Sequence, residues 1–77
     1  MNRVFGEKVF SSVAIEDSQA GYGGIELWSL RNGVSGKVAS VIFWDAMGHW
    51  YVETFGDVPL EVLQQCIVEA KAVFPTS

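Results

Sequence analysis

Between Lys37 and Phe55 the chain reads KVASVIFWDAMGHWYVETF, two apolar, aromatic-rich arms around a short polar turn. Val, Ile, Phe, Trp, Tyr and Thr dominate both arms, the composition that suits a pleated and largely buried surface. Asp45 and Gly48 bracket Ala46 and Met47 as the end residues of a type I turn. If Asp45 to Gly48 form the loop, Trp44 opposes His49, Phe43 opposes Trp50, Ile42 opposes Tyr51 and Val41 opposes Val52. Side chains alternate between sheet faces. One face therefore carries Ala39, Val41, Phe43, Trp50, Val52 and Thr54. The other carries Val38, Ser40, Ile42, Trp44, His49, Tyr51 and Glu53. The first set has the character of a core, and the second is neither polar nor uniformly apolar.

Upstream, Gly24 to Arg31 (GIELWSLR) is a second strand run, followed by Asn32-Gly33, a strong hairpin signal between apolar runs. Val34-Ser35-Gly36 suggests a loop longer than two residues. Arg31 then opposes Lys37, and Leu27 opposes Val41. That register places Ile25 and Leu27 on the core face and Glu26, Trp28 and Leu30 on the other. Asp17 to Gly24 reads as a loop. Over Arg3 to Glu16 two periods compete. Val9, Ser11, Val13 and Ile15 alternate as a strand, whereas Val4, Phe5, Val9, Ser12 and Val13 fit one helical face. Gly6, the β-branched residues and the serine pair favour a strand over Lys8 to Ile15.

After Phe55-Gly56-Asp57 the period changes. Leu60, Leu63, Cys66, Ile67, Ala70, Val73 and Phe74 recur at three- and four-residue spacing, the apolar stripe of an amphipathic helix. Glu61, Gln64, Gln65, Glu69 and Ala72 lie opposite. Asp57 is placed to cap its start, with Pro59 and Glu61 in the first turn, and Pro75 to end it. The expectation is one α+β domain over residues 1–77: an antiparallel β-meander, β-β-β-β-α, with the C-terminal helix packed on one sheet face.

Composition changes this picture in one respect. The chain has 77 residues and one cysteine, so it can form no internal disulfide, and a core of this size rarely supplies more than about 3–5 kcal/mol without a staple. Yet 49% of its residues are hydrophobic and 13% aromatic, which points to a partner subunit as the missing staple. One helix covers one face of a sheet. The uncovered face is expected to be the interface of a homodimer, built on Trp28, Leu30, Ile42, Trp44 and Tyr51, of which Trp and Tyr are the types enriched at interface centres. A small molecule or another protein could occupy the same surface. In the small-molecule case Trp28, Trp44 and Tyr51 form a pocket wall, with His49 and Glu53 as polar orienting groups.

The net charge of −4 and five scattered basic residues argue against a nucleic-acid partner. No run approaches the length of a membrane span, and the N-terminal stretch lacks a signal-peptide core, so a cytoplasmic protein is expected. No cofactor or metal is expected either. Asp45, His49 and Glu53 match no ligand spacing, and Gly21 to Gly24 precedes a strand rather than the helix a phosphate loop needs. Cys66 reads as a small core residue that cannot reach His49 through the sheet. No catalytic constellation emerges.

Overall fold

A computed structural model describes residues 1–74. Five strands, β1 (Asn2–Phe5), β2 (Lys8–Asp17), β3 (Tyr22–Arg31), β4 (Val34–Trp44) and β5 (His49–Thr54), precede one helix, α1 (Leu60–Val73). The strands form one antiparallel sheet in sequence order. This is the expected α+β meander with its C-terminal helix on one face, extended at its N-terminal edge by β1, a strand the sequence pattern did not separate from β2. Gly6, at φ +64, makes the tight turn between them.

The β4–β5 hairpin has the expected register from Trp44↔His49 to Val41↔Val52. Its loop closes on Trp44, whose carbonyl accepts from the Met47 and Gly48 N–H groups at 3.1 and 2.9 Å. The β3–β4 hairpin departs from expectation. Asn32 and Gly33, with φ of +51 and +78, form a two-residue turn of the primed type, and β4 begins directly at Val34. No longer loop exists. A β-bulge then offsets the ladder: Trp28 opposes Lys37, whereas Leu27 opposes Ala39, leaving Val38 as the extra residue. Beyond the bulge Ile25 faces Val41, two residues from the expected pairing. A two-residue shift preserves which side chains share a face, so Ile25 and Leu27 are buried as expected. The loop predicted over Asp17 to Gly24 is shorter, since Tyr22, Gly23 and Gly24 already belong to β3. The Asp17 carboxylate shapes what remains, accepting from the Gln19 and Ala20 N–H groups.

α1 lies over β2, β3 and β4. Its fully buried residues are Val62, Cys66 and Ala70, at four-residue spacing, and they meet Phe10, Ile25, Leu27, Ala39 and Val41. The helix is therefore rotated from the expected stripe. Leu63 and Ile67 flank the contact half-buried, while Leu60 and Val73, expected inside, are exposed. Cys66 and Ala70, both small, let the helix approach the sheet there, and the larger Leu63 and Ile67 fill the margins. Asp57 is not the cap. The helix starts from Pro59, whose carbonyl accepts from the Val62 and Leu63 N–H groups without any side-chain cap. Pro75, expected to end the helix, lies outside the described residues. Polar ties hold the helix at its edge: Ser12 Oγ donates to Glu69 Oε1 at 2.6 Å, and Arg3 reaches Gln65 and Glu61 at 2.9 and 3.2 Å. The Arg3 contacts are exposed and contribute at most about 1 kcal/mol.

Candidate functional site

The pairing places every sheet residue on the helix side or on the outer side. On β2 the outcome runs against the simplest reading of hydropathy. Ser12 pairs with Leu27 and Phe10 with Ser29, so Lys8, Phe10, Ser12, Ala14 and Glu16 form the helix-side row. The more apolar row, Val9, Ser11, Val13 and Ile15, points outward. Phe10, isolated among polar and small residues, is the core anchor that sequence pattern missed, and it is fully buried.

The outer side thus gathers Val4 from β1, Val9, Val13 and Ile15 from β2, Tyr22, Trp28 and Leu30 from β3, Ile42 and Trp44 from β4, and Tyr51 from β5. Val4, Val13, Leu30 and Tyr51 are 71%, 49%, 45% and 45% exposed, and Trp44 is 38% exposed. Ile42 is only 9% exposed, although no described element lies over it. On that side it stands between Gly24 of β3 and Tyr51 of β5, its cross-strand partners. The Tyr22 and Trp44 rings pack at 5.0 Å between centroids, tilted by 52°, a favourable edge-inclined arrangement.

One polar group sits within this surface. Glu26 Oε1 accepts from Trp28 Nε1 at 3.4 Å, and its Oε2 accepts from Lys37 Nζ at 3.3 Å. The bulge at Val38 makes this possible, because it moves Lys37 onto the outer side opposite Trp28. The Lys37 ammonium also lies 5.4 Å from the Phe55 ring centroid. The carboxylate is thereby neutralised and partly occupied, and the outer surface carries little unbalanced charge at its centre.

The expected interface residues Trp28, Leu30, Ile42, Trp44 and Tyr51 all project from this side. His49, Tyr51 and Glu53 also share it, as alternate residues of one strand. A depression of about 330 Å³ lies along β4 and β5, lined by Ser40, Ile42, Trp44, Tyr51, Val52 and Glu53. Trp28 and His49 are outside its lining. Two other concavities lie toward the two ends of the helix. One of about 450 Å³ is walled by Phe5, Phe10, Val58 and Pro59, with Lys8 and Arg31 offset by Glu7 and Asp57. Another of about 410 Å³ lies at the far end of the helix, against Tyr22, Phe43 and Phe74, with an acidic rim of Glu16, Asp17 and Asp45. Among the described residues no group of three His, Cys, Asp or Glu side chains is placed to hold a metal ion.

Cys66 has no access to the outer side. It is fully buried under the sheet, and burial, reinforced by the nearby Glu69 carboxylate, pushes its thiol up to about 11 from the usual 9.0. The thiolate, the reactive form, is therefore suppressed at neutral pH. The sign of the pH effect follows. The unfolded chain releases this proton from pH 9.0 upward and the folded chain only near 11, so stability falls as pH rises through that window. The expected loss is about 2–3 kcal/mol, and Cys66→Ala should flatten the difference when urea midpoints are measured from pH 8 to 11. Parallel profiles for the two proteins would refute the assignment.

The chain matches no protein-family model, no curated protein and no solved structure.

Proposed function

We propose that this chain is a small interaction module that self-associates through the outer face of its sheet. The observation that carries the reading is the β2 row. Folding turns Val9, Val13 and Ile15 outward beside Trp28, Leu30, Ile42, Trp44 and Tyr51, although a polar row was available on the same strand. Monomers seldom leave so continuous an apolar surface uncovered. A second copy suits it better than a charged partner does, because its one central carboxylate is already paired with Lys37. A two-fold interface uses the same patch twice and needs no other chain. No helix among the described residues is long and apolar enough to cross a membrane, and with a net charge of −4 the reading remains a cytoplasmic protein without a nucleic-acid partner.

Trp44→Glu is expected to place an unpaired charge in a desolvated surface and weaken the dimer at least about 30-fold, or about 2 kcal/mol. Gln64→Glu, on the exposed side of α1, should leave association unchanged. Light scattering across a dilution series reads both. A wild type that remains monomeric at millimolar concentration, or a Trp44→Glu protein that associates like wild type, overturns this reading.

The depression along β4 and β5 supports a second reading, a small-molecule site with Trp44 and Tyr51 as wall and Glu53 as polar group. Its volume is at the lower end for ligand pockets. A monomeric wild type whose tryptophan fluorescence responds saturably to small aromatic compounds would favour it.

A further inference from the structure

The sheet has two open edges, and they are built differently. β1 is four residues long, and Arg3 within it is engaged by Gln65 and Glu61 of the helix. β5 is six residues long, His49–Thr54, and contains no proline, lysine or arginine and one carboxylate, Glu53. Short length, charged side chains, lysine above all, and proline are common devices that stop an edge from pairing. β1 uses two of them, and β5 carries only the single Glu53 carboxylate.

The β4–β5 ladder identifies which main-chain groups of β5 are free. Phe55 N–H donates to the Val38 carbonyl at 2.8 Å, in the register that opposes Ala39 to Thr54. Bonded and non-bonded pairs alternate in an antiparallel ladder. His49, Tyr51 and Glu53 therefore turn their N–H and C=O groups toward β4, and Trp50, Val52 and Thr54 turn theirs outward. No strand lies beyond β5 among the described residues. The helix rests over β2, β3 and β4, and Val52, on its side of the sheet, is 46% exposed.

We infer that β5 is a pairing edge that takes β5 of a second copy, extending the sheet across two chains. The edge is self-complementary. A two-fold axis normal to the sheet keeps the helix side of one copy beside the helix side of the other, so residues of like parity must oppose each other. Centring Tyr51 on its own copy satisfies this and brings Trp50 opposite Val52 of the second copy, both with outward main-chain groups, as hydrogen-bonded pairs. The same register sets His49 against Glu53 of the second copy at each end, imidazole facing carboxylate. The two helices then lie on one side, each over β2, β3 and β4 of its own sheet. The inference is independent of the outer-face reading: it uses the edge's main-chain groups and leaves the outer face free.

Residue-resolved amide exchange on the wild-type protein tests it. At millimolar concentration the Trp50 and Val52 amides are expected to exchange as slowly as those of Tyr51 and Glu53, and to speed up on dilution. Val52→Pro removes one outward N–H without touching the β4 ladder, and should abolish the protection of Trp50 and halve the associated mass. Fast exchange at Trp50 and Val52 at millimolar wild-type concentration overturns the inference. So does a folded Val52→Pro protein with unchanged mass. Trp44→Glu separates the two interfaces. Protection of Trp50 and Val52 that survives in that variant supports the edge alone. Association lost in that variant, with fast β5 exchange in wild type, leaves the outer face and removes the edge.

Discussion

Val62→Asp is expected to leave the chain unfolded, whereas Val68→Asp, six residues along the same helix, should melt close to wild type. Val62 is fully buried at the centre of the helix–sheet contact, and Val68 is 69% exposed. A carboxyl group at position 62 would sit among Phe10, Leu27 and Val41 in a core with no buried polar side chain to receive it. Taking a charge or an unbonded hydroxyl out of water there costs several kcal/mol. A domain of this size rarely holds more than about 3–5 kcal/mol. Circular dichroism and urea melts read the outcome. Two variants of equal stability would mean that the helix packs by another face, and the burial of Cys66 would fall with it.

Gly24→Ala should cost about 3 kcal/mol, at the upper end of overpacking effects. A β-carbon at position 24 would lie 2.0 Å from the Val41 carbonyl oxygen and 3.0 Å from the Ile42 α-carbon. Both are backbone atoms of the neighbouring strand, so neither can swing aside as a side chain would. Relief requires β3 and β4 to separate where Ile25 meets Val41, in the middle of the core. Gly36→Ala, whose added carbon meets nothing within 4 Å, is the matched control and should be tolerated. A common urea midpoint for the two proteins would refute the close approach of the strands.

Part of the outer surface is legible in the amino-acid sequence. A strict alternation through Ile42, Trp44, Tyr51 and Glu53, tied to a four-residue turn, fixes one face of the β4–β5 hairpin, because a strand has only two sides. The contribution of β2 is not legible in the same way. Its two rows are Val9, Ser11, Val13, Ile15 and Lys8, Phe10, Ser12, Ala14, and hydropathy alone favours burying the first. The fold turns the second toward the helix, where Phe10 alone is fully buried and Ser12 pairs with Glu69 at the margin. The polar centre of the surface is hidden for a related reason. Glu26 and Lys37 meet only because the bulge at Val38 reverses the side on which Lys37 emerges.

What the sequence determined by itself is local. Period-two alternation, the Asp45–Gly48 loop and the Asn32-Gly33 turn specify strands and hairpins, because each depends on residues a few positions apart. The change to a three- and four-residue period after Asp57 specifies the helix in the same way. Tertiary structure decided the choices between local equals. The apolar arc of α1 is wider than the strip a sheet can cover, so sequence admits several rotations. The contact selected Val62, Cys66 and Ala70 over Leu60 and Val73, the three that lie in one line at four-residue spacing along the side of the helix that meets β2, β3 and β4. The bulge was likewise decided at long range. A two-residue turn at Asn32-Gly33 and the core pairing of Leu27 with Ala39 differ by one residue in register, and the extra residue, Val38, had to leave the ladder.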